Sequence, residues 1–237
     1  MTDLHTHILP GMDDGSPDVE TSIAMLRMEA EQGVHTVVLT PHFYRDQERP
    51  EHFLERRYQS AVQLAKGLKA LPEGERDKLP RLLVGAEVAW VPNLPDLVDL
   101  TEFRIGESGY FLLELPFSPW DDSMIHQIYD LMGRTGLTPI IAHLERYIKG
   151  QKPEYIEEVF SLGVPIQISA DILLQPFSKG IKLLRKGRAH LVASDCHNTG
   201  RRPPNLGPAM ATVARKLGSD RRAALNRRAD KLLADPG

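Results

Sequence analysis

Short runs of apolar and β-branched residues recur along the chain, separated by longer stretches whose apolar positions fall every third or fourth residue. The first pattern predicts buried strands, the second amphipathic helices. Strands are expected at residues 3–7, 34–40, 81–88, 110–115, 138–142, 164–169 and 190–194. Ser16 and Pro17 read as the N-cap and first position of a helix carrying Ile23, Leu26 and Ala30 on one stripe, with Gly33 at its C-terminal end. Further helices are expected at 50–70, 94–100, 121–135, 154–162, 179–186, 207–217 and 220–233, and a polar linker at 72–80. Strands alternating with helices argue for parallel βαβ units. Strands this apolar need both faces covered, so the expected fold is a closed or nearly closed α/β barrel. A functional site would then lie at the C-terminal ends of the strands.

Composition narrows the class. All 237 residues fit one domain, 1–237, and 41% hydrophobic content can fill a full core. A net charge of -3 gives no electrostatic case for nucleic acid. The basic C-terminal region reads as solvated helix faces. One cysteine, Cys196, fits a reducing compartment. The N-terminus lacks a signal-peptide profile, and no apolar run nears the ~20 residues of a membrane span. A cytoplasmic protein without membrane insertion is expected.

The chemistry sits at the strand ends. In order these carry His5 and His7, His42, Glu87, Glu114, His143, and Asp195 with His197, while Asp14 lies in the first loop. Residues i and i+2 of a strand share a face, so the two N-terminal imidazoles can address one point. Glu87 and Glu114 lie in apolar runs, where an unpaired carboxylate would be costly to bury. Five histidines with four carboxylates suit Zn, Mn or Fe and not Ca. Nine ligands exceed the needs of one ion, so two or three divalent ions, some bridged by a carboxylate, are expected. Ser169, on the sixth strand, breaks the series. His35, His52, His126 and His190 belong to no such pattern and read as packing or surface residues. Arg146 and Arg202 stand beside the ligand set, as expected for an anionic substrate with bidentate oxygens, above all phosphate. Arg45 and Arg201 are weaker candidates. Cys196 and Arg202 have the Cys-x5-Arg spacing of cysteine-dependent tyrosine phosphatases, but the segment between them holds one glycine, too few for the usual phosphate cradle. If Asp195 and His197 face metal, the thiol points away.

The ordered set Asp3-Leu4-His5-Thr6-His7, Asp13-Asp14-Gly15, Thr40-Pro41-His42, Gly85-Ala86-Glu87, Leu113-Glu114-Leu115-Pro116, Ala142-His143-Leu144-Glu145-Arg146-Tyr147 and Ser194-Asp195-Cys196-His197-Asn198, with Arg202-Pro203-Pro204, resembles the PHP (polymerase and histidinol phosphatase) superfamily. More closely it is similar to the bacterial tyrosine phosphatases of capsule and exopolysaccharide operons. That resemblance implies a distorted (β/α)7 TIM-like barrel of the PHP fold holding divalent ions, often manganese or iron. It implies one ion on His5, His7, Glu87 and Asp195, with Glu87 bridging to a second on Glu114 and His143. A third would use Asp14, His42 and His197. Arg146 and Arg202 would grip the phosphate, and His42 or Asp14 would assist the leaving phenolate. The implied substrate is a phosphotyrosine protein, the tyrosine-rich tail of a bacterial tyrosine autokinase. Ser169 departs from the family pattern, where asparagine is expected. The same ligands could serve a small phosphate-ester hydrolase such as a histidinol phosphatase. A proofreading module, an amidohydrolase and a non-catalytic scaffold are the remaining readings, and oligomeric state is left open.

Overall fold

The structure, a computed structural model, describes residues 1–235. In chain order the elements are β1 (Thr2–Thr6), α1 (Val19–Glu31), β2 (Thr36–Leu39), β3 (His42–Phe43), α2 (Pro50–Ala70), α3 (Glu73–Arg76), β4 (Arg81–Val84), β5 (Glu87–Ala89) and α4 (Leu94–Leu97). Then follow β6 (Tyr110–Glu114), α5 (Asp122–Thr135), β7 (Thr138–Ile141), α6 (Pro153–Ser161), β8 (Gln167–Ser169), α7 (Asp171–Leu174), α8 (Lys179–Arg185), β9 (Leu191–Ala193), α9 (Leu206–Leu217) and α10 (Ser219–Ala234).

Every strand pair is parallel, and the strands fall into three sheets ordered β1-β2-β4, β3-β5-β6-β7 and β8-β9. Single parallel bridges, Thr6 to Cys196 and Ile141 to Ile166, join β1 to the end of β9 and β7 to the start of β8. The expected strand 81–88 is broken at Gly85-Ala86, and its halves belong to different sheets. The cause lies in the neighbouring strand. Pro41 has no N–H to continue the ladder beyond Leu39, so pairing stops and restarts at His42. Across the break Gly85 N–H donates to Leu39 O (2.9 Å) and Glu87 N–H to Pro41 O (3.0 Å). His42 and Glu87 thereby become register partners.

One apolar cluster draws Leu4, Val38, Leu112, Ile140 and Leu191 from β1, β2, β6, β7 and β9, and so is shared by all three sheets. Ala229 and Leu232 of α10 join it, so the last helix buries an apolar stripe against it. All the other helices except α3 contribute buried apolar residues to a second, larger core cluster. Helix α1 is capped by Asp18, not Ser16: the Asp18 carboxylate accepts from Thr21 N–H at 2.8 Å. A charged acceptor suits the positive end of the helix better than a hydroxyl, and Ser16 instead faces the Ser22 hydroxyl at 2.9 Å. Gly33 (φ +79°) ends α1 as expected, and Gly136 (φ +70°) ends α5 in the same way.

Beneath the inner strands lies a buried acidic pair, Asp3 and Glu29, with Cys196 against it. Burial, relieved in part by bonds from Ser194, lifts Asp3 to about 6, and burial next to Asp3 lifts Glu29 well above the carboxylate range. A carboxyl whose pKa rises on folding takes up protons on folding. Its contribution is intact below the unfolded pKa and is lost as pH climbs through the folded one. Glu29→Gln removes one charge and offers Asp3 an amide donor. Thermal melts should therefore show the variant gaining on the wild type as pH rises from 4 through 6 and beyond. The gain should be on the order of 2 kcal/mol. A stability difference that does not change with pH would refute the proton uptake by this pair on folding.

Candidate metal centre

The end of β1 places His5 and His7 on one face, both fully buried, with their Nε2 atoms 3.1 Å apart. Thr6, between them, turns the other way and donates to Val38 O at 2.8 Å. Glu87, at the start of β5, is the hub. Its Oε2 lies 3.1 Å from His5 Nε2, 3.4 Å from His7 Nε2 and 2.9 Å from His42 Nδ1, and its Oε1 lies 2.7 Å from His143 Nε2. Glu114, at the end of β6, stands 3.6 Å from His143 Nε2 and 4.0 Å from His42 Nδ1. On the outer side Asp14 Oδ1 lies 3.3 Å from His197 Nε2 and 3.6 Å from His42 Nε2. Asp195 Oδ1 lies 3.5 Å from His7 Nε2 and 3.7 Å from His5 Nε2. All nine residues expected as ligands therefore meet in one place.

The residues fit metal ions. Glu87 Oε2, His42 Nδ1 and His197 Nε2 are buried without a hydrogen bond, although other ligand-type atoms crowd them. Buried polar groups without partners are rare, and a cation bound among these atoms would satisfy all three. The far ring nitrogens are anchored so that the near ones point inward. His7 Nδ1 meets Asp13 Oδ2 at 2.7 Å, His197 Nδ1 meets Asp195 O at 3.0 Å, and His5 Nδ1 faces Gln167 Oε1 at 3.3 Å. Each such bond puts the proton on Nδ1 and leaves the Nε2 lone pair free to ligate. Three groups of ligand atoms converge within 4.8 Å: His5, His7 and Glu87; His42, Glu87 and Glu114; and His7, Asp14, His42 and His197. This partition shares His7 and His42 more widely than expected, while His143 sits on Glu87 and Glu114.

The electrostatics follow from these contacts. Burial pushes Asp195 up, but His5, His7 and Arg146 outweigh it and hold its carboxyl well below the usual range. Glu87 is likewise held low against burial by His5 and His143. Burial, and after it the neighbouring Glu87 charge, pushes Glu114 up to about 7. Burial with the neighbouring His7 and Arg202 brings His197 down to about 4.

Sequence reading missed two supports. Asp13, not only Asp14, serves the site: its buried carboxylate also accepts the His42 and Gly15 N–H groups at 2.9 and 3.0 Å. A Cβ on Gly15 would lie 2.2 Å from His7 O, so only glycine closes this loop. The other is Gln167. Its Oε1 accepts His143 N–H at 2.8 Å as well as facing His5. The sixth strand thus contributes through Gln167, two residues before Ser169, whose hydroxyl only reaches Asp195 at 3.5 Å. Gln167→Leu should weaken metal affinity about 10- to 100-fold, measured by titration calorimetry. Unchanged affinity would deny Gln167 that role. A further signal lies in the backbone. His143 (φ +32°) and Asp195 (φ +55°) adopt left-handed conformations just after β7 and β9. Non-glycine residues held there are costly and cluster at functional sites.

Arg146 and Arg202 both pair with Asp195, Arg202 at 2.9 Å. They are 34% and 31% exposed and stand at the mouth of the cluster. Cys196 is buried on the opposite side, its Sγ 3.8 Å from Glu29 Oε1, and burial and neighbouring carboxylates push the thiol well up. That excludes it as a thiolate nucleophile. His35, His52 and His126 lie on the surface, and His190 Nδ1 accepts Ile166 N–H at 3.1 Å. Arg45 and Arg201 are not part of the cluster: Arg45 reaches Leu97 O, and Arg201 is exposed.

A parallel α/β scaffold presenting buried histidines and carboxylates, with two arginines at the rim, defines a metal-dependent hydrolase site. The chain matches the family model for capsular polysaccharide synthesis, CpsB/CapC, over residues 1–234, and belongs to that family. It is 31% identical to the tyrosine-protein phosphatase YwqE of Bacillus subtilis, over 98% of this chain and 91% of that protein. It is 28% identical to the tyrosine-protein phosphatase CpsB of Streptococcus agalactiae, over 93% of each. A solved structure from work on YwqE of B. subtilis and CpsB of Streptococcus pneumoniae, described as metal-dependent tyrosine phosphatases, superposes with a TM-score of 0.82. It shares 29% identity and covers 100% of this chain and 96% of that one.

Proposed function

We propose that this chain is a metal-dependent protein-tyrosine phosphatase acting on a bacterial tyrosine kinase that controls capsular or exopolysaccharide synthesis. The observation that carries the reading is the pair Arg146 and Arg202 meeting on Asp195 at the rim of the nine-ligand cluster. Two or three divalent ions, Mn, Fe or Zn, would be held by His5, His7, Asp14, His42, Glu87, Glu114, His143, Asp195 and His197. When bound, such ions polarise phosphoryl oxygens and acidify water. The two guanidiniums turn their N–H groups to the non-bridging phosphate oxygens, where charge must be neutralised. Asp195 keeps both in place before the anion arrives. A cavity of about 630 Å³ opens beside the cluster, lined by Asp14, His42 and Tyr44 among others. Tyr44 stacks on His42 with ring centroids 5.2 Å apart and offers an aromatic wall to the substrate phenyl ring. Asp14, its side chain 66% exposed, and His42 face the part of this cavity where the phenolate would depart, and are the side chains assigned to assist it.

The accompanying fold reading is a distorted (β/α)7 barrel in one domain, supported by the apolar cluster that all three sheets share. A cytoplasmic reaction belongs to the same reading, because protein phosphotyrosine would be made there from ATP. Among the described residues no helix is long and apolar enough to cross a membrane. The test is a substrate panel with added Mn. Turnover of phosphotyrosine peptides well above that of histidinol phosphate, unaffected by Cys196→Ser, is expected. Preference for histidinol phosphate, or loss of activity with the cysteine, would overturn the assignment.

A further inference from the structure

Two hollows run away from the rim on the side of Arg146. The first, about 470 Å³, is lined by Arg146, Lys149, Ser169, Phe177 and Lys179 among others. The second, about 350 Å³, lies between α6 and α8, with Ile156 and Phe160 among its apolar lining and Lys182 and Lys186 at its edge. Lys179 lines both, so the hollows form one groove. Its inner end is the site itself, since Arg146 and Ser169 both reach Asp195. Lys179 and Lys182 of α8 and Lys186, which caps its C-terminal end, follow the i, i+3, i+7 spacing that puts them on one side.

The charge of this groove is one-sided. Of the carboxylates that line it, Glu157 is neutralised by Arg188, while Glu145, accepting Ser169 N–H at 3.1 Å, and Asp171, accepting from Asn205, are held by neutral donors and are outnumbered two to one by lysines. Lys149, Lys179, Lys182 and Lys186 are exposed and form no ion pair among the described residues. Phe177, 99% exposed and at φ +55°, lines the first hollow. Four unpaired ammonium groups over an apolar floor complement a chain that carries negative charge and some apolar side chains.

On the reading that this is a protein-tyrosine phosphatase, we propose that the groove binds an acidic stretch of the phosphoprotein next to its phosphotyrosine. The groove would then set which tyrosines are dephosphorylated. A concave channel that ends at the reactive site fits an extended peptide; a flat anionic membrane would meet only the lysine tips.

The test uses the full-length, metal-loaded protein and the variant Lys179→Glu/Lys182→Glu/Lys186→Glu, whose changes lie on an exposed helix face. Substrates are an aryl phosphate and phosphotyrosine peptides flanked on either side by a glutamate run or by a serine-glycine run. The wild type should prefer a glutamate-flanked peptide, increasingly so at low salt. The variant should lose at least about tenfold in kcat/KM on that peptide, through KM, with the aryl phosphate unchanged. No preference in the wild type, or a preference that survives in the variant, overturns the groove assignment and leaves the phosphatase intact. If neither protein turns over any phosphotyrosine substrate, the phosphatase reading fails by itself. Fluorescence anisotropy of the unphosphorylated acidic peptide then decides the groove: binding about tenfold weaker to the variant supports it, and equal binding overturns it. Loss of binding to phosphatidylglycerol vesicles with peptide constants unmoved would make a membrane the occupant and overturn the proposal.

Discussion

Glu87→Gln lowers kcat on a phosphotyrosine peptide by about a thousandfold or more, and the protein loses bound metal with it. The reason is position. Both Glu87 oxygens lie within 3.4 Å of imidazole nitrogens, four in all, from His5, His7, His42 and His143. An amide of the same shape cannot bridge cations with both terminal atoms, because its NH2 group has no lone pair to give. The fold should survive. Asp195 still faces His5 and His7, and Asp13 still pairs with His7, so exchanging this one buried carboxylate for an amide does not strand a charge. Melting of the chelated variant within a few degrees of the chelated wild type, with activity gone, is the expected combination. A variant that keeps its metal and turns over within tenfold of wild type would remove Glu87 from the centre.

Replacing Arg146 and Arg202 together by alanine is expected to cost on the order of a thousandfold in kcat/KM, with kcat falling too. Each single change should cost about a hundredfold, and the two should combine less than multiplicatively, because both act on one phosphate. Lysine at either position should recover only part of the loss. A point charge cannot make the paired, planar contacts of a guanidinium. Metal content should not fall, since neither side chain ligates. Steady-state kinetics with elemental analysis of each variant checks both halves. A rise in KM at unchanged kcat would assign the arginines to ground-state binding alone.

The strand-end pattern was legible because ligands must sit where parallel strands end, and the chain repeats that grammar at His5, His42, Glu87, Glu114, His143 and Asp195. The break at Gly85-Ala86 was not legible from its own residues. Its cause is Pro41 on the neighbouring strand, and pairing between strands is a tertiary fact. Asp18 displaced Ser16 as cap because two acceptors stood within reach of one helix start, and periodicity does not rank them. Asp13 and Gln167 were hidden for a different reason. They hold ligands by the far side of the ring, so nothing in their spacing distinguishes them from an ordinary loop acid or a polar residue in a strand. The left-handed backbones at His143 and Asp195 leave no sequence mark either, since glycine, the usual sign, is absent from both positions.

The central claim is that the converging histidines and carboxylates hold catalytic metal. Elemental analysis of the purified protein, with phosphotyrosine-peptide turnover followed through chelation and re-addition of single metals, tests it most directly. Two or three divalent transition-metal ions per chain, activity abolished on chelation and restored by Mn, Fe or Zn, is the predicted result. Full activity in protein stripped of metal would contradict it.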